Sequence, residues 1–182
     1  MHDRWMKNAK ESVRLQEAGI GSEVLDTALA EYILEIVARH SDASPRLCNK
    51  DPFTLKTGTY LKRLFPNSKF IFMIRDGRAA VHSMISRNVT ITGYDLKSYR
   101  QSLSKWNSTI SAMNNQCDEL GLNSCLKVYY EQLVLHPRSW LTKILKFLDL
   151  PWNEQVMHHE KQINKPKGIS LSKVEKSTDQ VQ

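Results

Sequence analysis

Lys69-Phe70-Ile71-Phe72-Met73-Ile74-Arg75-Asp76-Gly77-Arg78 is the stretch on which the fold turns. Its apolar run is unbroken and ends abruptly in charged residues and a glycine. A run of this kind suits a central strand of a parallel sheet, buried on both faces. A helix is expected directly after it, from about Gly77 to Ile85. Downstream, 94–121 reads as a loop leading into a long helix, 126–130 as a second strand, and Pro137 as the first residue of another helix. Upstream, 1–18 reads as helical and Gly19-Ile20-Gly21 as a break. Ser22 reads as the N-cap of a helix to about His40, with Leu25, Leu29, Ile33 and Ile36 as its apolar stripe. A short buried strand is expected at 46–49, and a helix opening at Asp51-Pro52 and ending at Pro66-Asn67. The polar stretch after Lys165 reads as loop. Alternating strands and helices place the chain in the α/β class, with a parallel sheet flanked by helices.

The 182 residues suit one domain, with 41% hydrophobic and 25% charged residues. No apolar run is long enough to span a membrane, and Met1-His2-Asp3-Arg4-Trp5 lacks the apolar core of a signal peptide. The net charge of +7 favours anionic partners. The basic residues are dispersed rather than blocked, which argues against nucleic acid. There is no zinc-type Cys-x-x-Cys, and His158-His159-Glu160 lacks metal-site spacing. By spacing alone, Cys48, Cys117 and Cys125 are open to two readings: three free thiols, or one pair and one leftover. Asn88-Val89-Thr90 and Asn107-Ser108-Thr109 are glycosylation sequons.

In parallel α/β sheets, ligands bind outside the carboxyl ends of the strands. That rule singles out Asn49-Lys50, Arg75-Asp76-Gly77-Arg78 and Tyr129-Tyr130-Glu131. Arg75 ends the strongest strand, and Ser83 and Arg87 lie one turn apart on the helix that follows. Two guanidinium groups and a hydroxyl in that pattern can hold a phosphate. The competing reading pairs Arg75 with Asp76 or with a glutamate elsewhere. Lys50 could stabilise charge on a leaving phosphate, although taken alone it reads first as a solvated loop lysine. Neither a Walker loop nor Gly-x-Gly-x-x-Gly occurs.

Four stretches, in one order over almost the whole chain, resemble the tyrosylprotein sulfotransferases. They are Leu47-Cys48-Asn49-Lys50-Asp51-Pro52-Phe53-Thr54-Leu55-Lys56, the segment from Met73 through Arg75 and Ser83 to Ile85, and that from Val128 through Tyr130 to Pro137. The fourth is Ser170-Leu171-Ser172-Lys173-Val174-Glu175-Lys176-Ser177-Thr178-Asp179-Gln180-Val181. The resemblance implies a P-loop-related sulfotransferase fold, with residues 1–182 forming part of the catalytic domain. It implies transfer of a sulfonyl group from 3′-phosphoadenylyl sulfate (PAPS) to tyrosines in acidic segments of secreted and membrane proteins. The expected setting is the Golgi lumen, with a membrane anchor and a homodimer, and the scheme needs no metal.

By the same resemblance, Arg75 and Ser83 bind the donor's 3′-phosphate with Arg87 beside them, and Tyr130 lies by the nucleotide. Lys50 and Ser177 stabilise charge at the reacting centre. Ser177, Thr178, Asp179, Gln180 and Val181 cover the nucleotide, and Arg14 faces the acidic peptide. The family's donor-phosphate loop and general-base glutamate are expected upstream of residue 1, and further family sequence past Gln182. The 182 residues alone are therefore expected to be inactive. A lumenal setting favours a disulfide between Cys117 and Cys125, leaving Cys48 unpaired, and a glycoprotein in which the Asn88 sequon stays unused beside Arg87. Three rival readings remain at this stage: a non-catalytic relative that binds nucleotide or acidic peptide, a carbohydrate sulfotransferase, and a small-molecule kinase. The Lys-Asp-Pro-Phe and Lys-Ser-Thr-Asp-Gln stretches argue against the second, and the absent Walker loop against the third.

Overall fold

A computed structural model describes residues 8–40, 44–163 and 165. The described chain divides into two units. One holds the residues up to Thr54 together with Thr59–Ser68, and the other Leu55–Gly58 and the residues from Lys69 onward.

The first unit is helical. Helix α1 spans Ala9–Glu17, and the Asn8 side chain caps it by accepting from the Lys10 and Glu11 amides. Helix α2 spans Ser22–Arg39, and its N-cap is Gly21, not Ser22. Ser22 is the first helical residue and makes no side-chain cap. The apolar stripe of α2 runs through Leu25, Leu29 and Ile33 to Val37, while Ile36 stands exposed. The stripe therefore closes with a step of four where the sequence suggested three. Tyr60 and Arg63 of helix α3 (Gly58–Leu64) both reach Asp26 on α2, the hydroxyl at 2.6 Å and the guanidinium at 2.9 Å.

Two expectations fail here. Residues 46–49 form no strand; they are irregular, with a bend at Arg46, and exposed. A strand needs a neighbour to receive its N–H and C=O groups, and the two strands described pair only with each other. The helix after Asp51-Pro52 begins later than expected, as a 3-10 turn at Thr54–Thr57 that runs into α3. Asp51 instead accepts from the Phe53 amide at 2.8 Å and the Thr54 hydroxyl at 3.1 Å. Such a side-chain turn delays the helix.

The second unit carries the sheet. Strand β1 (Phe70–Ile74) pairs in parallel with β2 (Cys125–Tyr129), in register from Phe70 opposite Cys125 to Ile74 opposite Tyr129. Between them run helices α4 (Gly77–Ser86) and α5 (Tyr99–Leu120). Ser98 caps α5 through the Gln101 amide, after the loop that leads in from Tyr94-Asp95. Gly121 ends it at φ 74°, a conformation that only glycine adopts without strain. After β2 come a short helix α6 (Tyr130–Leu135), not expected from the sequence, and α7 (Pro137–Phe147).

The core lies between α5 and one face of the sheet. Leu55, Phe72, Met113, Cys117 and Cys125 are buried there, with Phe70, Ile74, Ile110 and Leu120 packed around them. Within it, Cys117 at the end of α5 and Cys125 at the start of β2 form a disulfide with a Cα–Cα distance of 5.4 Å. A loop this short is worth about 2–3 kcal/mol by chain entropy. Cys48 is exposed and unpaired, so the pairing follows the expectation.

The opposite face departs from it. Val128, which strand alternation puts on that face, is fully buried, but Ile71 and Met73 of β1 are 38% and 45% exposed. β1 is therefore buried on one face among the described residues, not on both. The apolar run gave no alternation from which to read this.

Gly77 opens α4 directly against the Trp106 ring of α5. A Cβ at Gly77 would come within 2.6 Å of Trp106 Cε3. Gly77→Ala is expected to destabilise the protein by about 1–2 kcal/mol, because overpacking against a half-buried ring outweighs the helix-propensity gain. Urea unfolding with an unchanged midpoint would show that α4 and α5 can separate without cost.

Candidate functional site

The carboxyl ends of β1 and β2 lie side by side, because the parallel register ends with Ile74 opposite Tyr129. One residue beyond that pair the two ends meet through side chains. The Arg75 guanidinium sits over the Tyr130 ring, 4.9 Å from its centroid. This is a cation–π contact in which the ring holds the charge without consuming its N–H donors. Both residues are exposed, so the donors face solvent at the strand ends. One residue further, the Asp76 amide donates to Glu131 Oε1 at 2.9 Å.

Asp76 also caps α4, accepting from the Arg78 amide at 2.8 Å, and its carboxylate pairs with the Arg78 guanidinium at 2.6 Å. The guanidinium first, and then that amide, hold the Asp76 carboxyl at about 2, below its ordinary 3.8. A carboxyl depressed by folding contributes stability that is complete above the unfolded value and lost as pH falls through the folded one. The α4 cap is thus expected to persist down to about pH 4 and to fade between pH 4 and 2. NMR titration should place the Asp76 midpoint near 2 and move it up towards 3.8 in Arg78→Ala; an unmoved midpoint would remove Arg78 as the cause. This pairing also settles a question the sequence left open: Asp76 takes Arg78, and Arg75 takes the Tyr130 ring.

Ser83 and Arg87 lie one turn apart near the end of α4, as expected from the spacing, and the Arg87 amide donates to Ser83 O at 3.2 Å. Both are half-buried. His82, beside Ser83, stacks on Tyr99 with Nδ1 3.0 Å from the hydroxyl, which ties α4 to the start of α5. No sequence signal marked that pair, nor the Asp76–Glu131 bond, since each joins residues far apart in the chain.

In the first unit, Lys50 is exposed between two anchored neighbours. Asn49 donates to the Thr54 hydroxyl at 3.1 Å, and Asp51 holds the turn described above. The backbone that carries the Lys50 ammonium is therefore braced on both sides. Arg14 is exposed on α1 and pairs with Glu11 at 3.5 Å, a surface contact of little energetic weight. Ser177, Thr178, Asp179, Gln180 and Val181 lie outside the described residues. His158 and Glu160 form an exposed pair at 3.5 Å. No group among the described residues combines three or more metal-ligating side chains. No described helix is long and apolar enough to cross a membrane.

The second unit thus offers an arginine stacked on a tyrosine at the strand ends and a half-buried hydroxyl one turn from a second arginine, and the first unit, taken by itself, an exposed lysine between anchored neighbours. A model of the sulfotransferase family matches residues 1–154. The chain is 62% identical to a Drosophila melanogaster protein-tyrosine sulfotransferase, covering 100% of this chain and 36% of that protein. It is 57% identical to the Gallus gallus protein-tyrosine sulfotransferase 2, covering 100% and 49%, and 60% identical to the Homo sapiens protein-tyrosine sulfotransferase 1, covering 97% and 48%. The chain thus spans half or less of the length of these relatives. Among solved structures, the sulfotransferase domain from the curacin biosynthetic pathway superposes with a TM-score of 0.52 at 21% identity. That match covers 85% of this chain and 56% of the domain, and it speaks to the fold alone.

Proposed function

The chain belongs to the sulfotransferase family, and from that premise we propose that it carries the donor-binding face of an enzyme that sulfates protein tyrosines. The donor is PAPS, and the acceptors are tyrosines in acidic segments of secreted and membrane proteins. The observation that carries this reading is Arg75 seated on Tyr130 at the carboxyl ends of the parallel strands. That is where α/β sheets bind ligands, and the free guanidinium donors there suit a 3′-phosphate.

The tyrosine oxygen attacks sulfur while a general base takes its proton, since a phenol with pKa about 10 is scarcely ionised at neutral pH. The S–O bond to the 5′-phosphate breaks, and adenosine 3′,5′-bisphosphate leaves with the bonding pair. Arg75, Ser83 and Arg87 hold the 3′-phosphate, and Tyr130 flanks the nucleotide. Lys50 and Ser177 meet the charge that develops on the leaving oxygen. Residues 177–181 cover the nucleotide, and Arg14 attracts the acidic peptide. The net charge of +7 suits both anionic substrates.

The Cys117–Cys125 disulfide supports an oxidising, lumenal setting; the Golgi, a membrane anchor and a homodimer belong to the same proposal through the family resemblance. In that setting the exposed Asn107 of α5 is available to a glycan. Asn88, at the end of α4 beside Arg87, stays bare.

The test is to incubate the full-length protein with sulfur-labelled PAPS and an acidic peptide holding one tyrosine. Label is expected on that peptide and not on its Tyr→Phe counterpart. Label that goes only to carbohydrate acceptors, or to none, would overturn the reading.

A further inference from the structure

The geometry points to Glu131 as a positioning residue for the donor phosphate site, acting through the Asp76 amide; this rests on the function proposed above. The parallel ladder ends at Ile74 and Tyr129. Beyond it no strand pairing holds the two chain ends together, yet the phosphate-facing groups Arg75 and Tyr130 stand one residue past that point. Two contacts bridge the gap. One is the Arg75–Tyr130 stack itself, at 4.9 Å. The other is the bond from the Asp76 N–H to Glu131 Oε1, at 2.9 Å.

A cation–π contact fixes distance from a ring but leaves the guanidinium free to slide and turn over it. A hydrogen bond to a backbone amide fixes direction as well. Asp76 is the residue directly after Arg75, and its side chain caps α4 through the Arg78 amide at 2.8 Å. Holding the Asp76 amide therefore sets where the chain leaves β1, where Arg75 points, and where α4 with Ser83 begins. Glu131 opens the same short helix as Tyr130, so one carboxylate couples the arginine's backbone to the element that carries its ring.

Reach and an acceptor oxygen are what this role requires. Glu131→Gln retains both. Glu131→Asp keeps the charge but is one methylene short, and Glu131→Ala loses everything. Full-length protein is titrated with adenosine 3′,5′-bisphosphate by calorimetry and assayed at varied donor. Glu131→Ala and Glu131→Asp are expected to weaken bisphosphate binding and raise donor KM roughly five- to tenfold, with kcat within about twofold. Glu131→Gln is expected to stay within about twofold of wild type in both. A residue that served only the fold would lower the active fraction, and so kcat, without moving KM.

Wild-type affinity in Glu131→Asp overturns the inference. So does Glu131→Gln binding as weakly as Glu131→Ala, since charge rather than the amide acceptor would then be the cause. Wild-type protein that binds no bisphosphate overturns the underlying reading instead. In that event hydrogen exchange at the Asp76 amide, expected to be faster in Glu131→Asp than in Glu131→Gln, still reads the tether directly.

Discussion

Alanine in place of Lys50 is expected to lower kcat by about 10²–10³-fold in the full-length protein, with donor KM changed by no more than about twofold. Negative charge on the bridging oxygen is small in bound donor and grows as the S–O bond breaks. A cation aimed at that oxygen therefore acts mainly on the transition state and shows in kcat. The structure supplies the rigidity this needs. Asn49 is held by Thr54, and Asp51 by the Phe53 amide and the Thr54 hydroxyl, so the ammonium hangs from a braced turn. A preorganised donor costs little reorganisation when the charge appears. Lys50→Arg is expected to recover only part of the rate, since a planar fork does not occupy the place of a compact ammonium. A Lys50→Ala enzyme with unchanged kcat and raised donor KM would remove Lys50 from the reacting centre.

Arg75→Ala should behave in the opposite way. In the function proposed above its bonds to the 3′-phosphate are already made in the ground state, so donor KM and the dissociation constant for the bisphosphate are expected to rise by roughly 10–100-fold. That range corresponds to one or two charge-assisted hydrogen bonds, with kcat altered much less. Arg75→Lys is not a conservative change, because a lysine lacks both the fork and the flat face that lies on Tyr130. Tyr130 offers a finer test. Tyr130→Phe keeps the ring face and is expected to bind the bisphosphate within about twofold of wild type, while Tyr130→Ala should weaken it by roughly three- to tenfold. Steady-state kinetics with varied donor, together with calorimetry of bisphosphate binding, separate the two sets. An Arg75→Ala enzyme that lost kcat at unchanged KM would show that Arg75 touches the reacting group and not the 3′-phosphate.

Much of the local structure was legible in the sequence. The apolar run at 70–74, the glycine behind it and Pro137 each encode a local conformational preference, and β1, α4 and α7 stand where those residues put them. Helix α5 ends at Gly121 for the same reason. Where local signals conflicted, the reading slipped. Residues 46–49 read as a strand but pair with neither strand of the described sheet. The Asp51 side chain competes with the helix it was expected to open. Tyr130, read as the last strand residue, starts a short helix.

The sequence by itself determined the α/β class, the two parallel strands and which polar and aromatic residues stand at their ends, because backbone preference and hydrophobic period are local properties. It carried the disulfide only through the family resemblance. Tertiary structure alone decided which groups meet: that Arg75 lies on Tyr130 and not on Asp76, that Glu131 takes the amide next to Arg75, and that β1 buries Phe72 but leaves Ile71 and Met73 exposed. Residues 55 or more apart come within bonding distance only after the strands have paired in register. The energy that sets that register lies in the core of Phe72, Met113, Cys117 and Cys125, away from the site it positions.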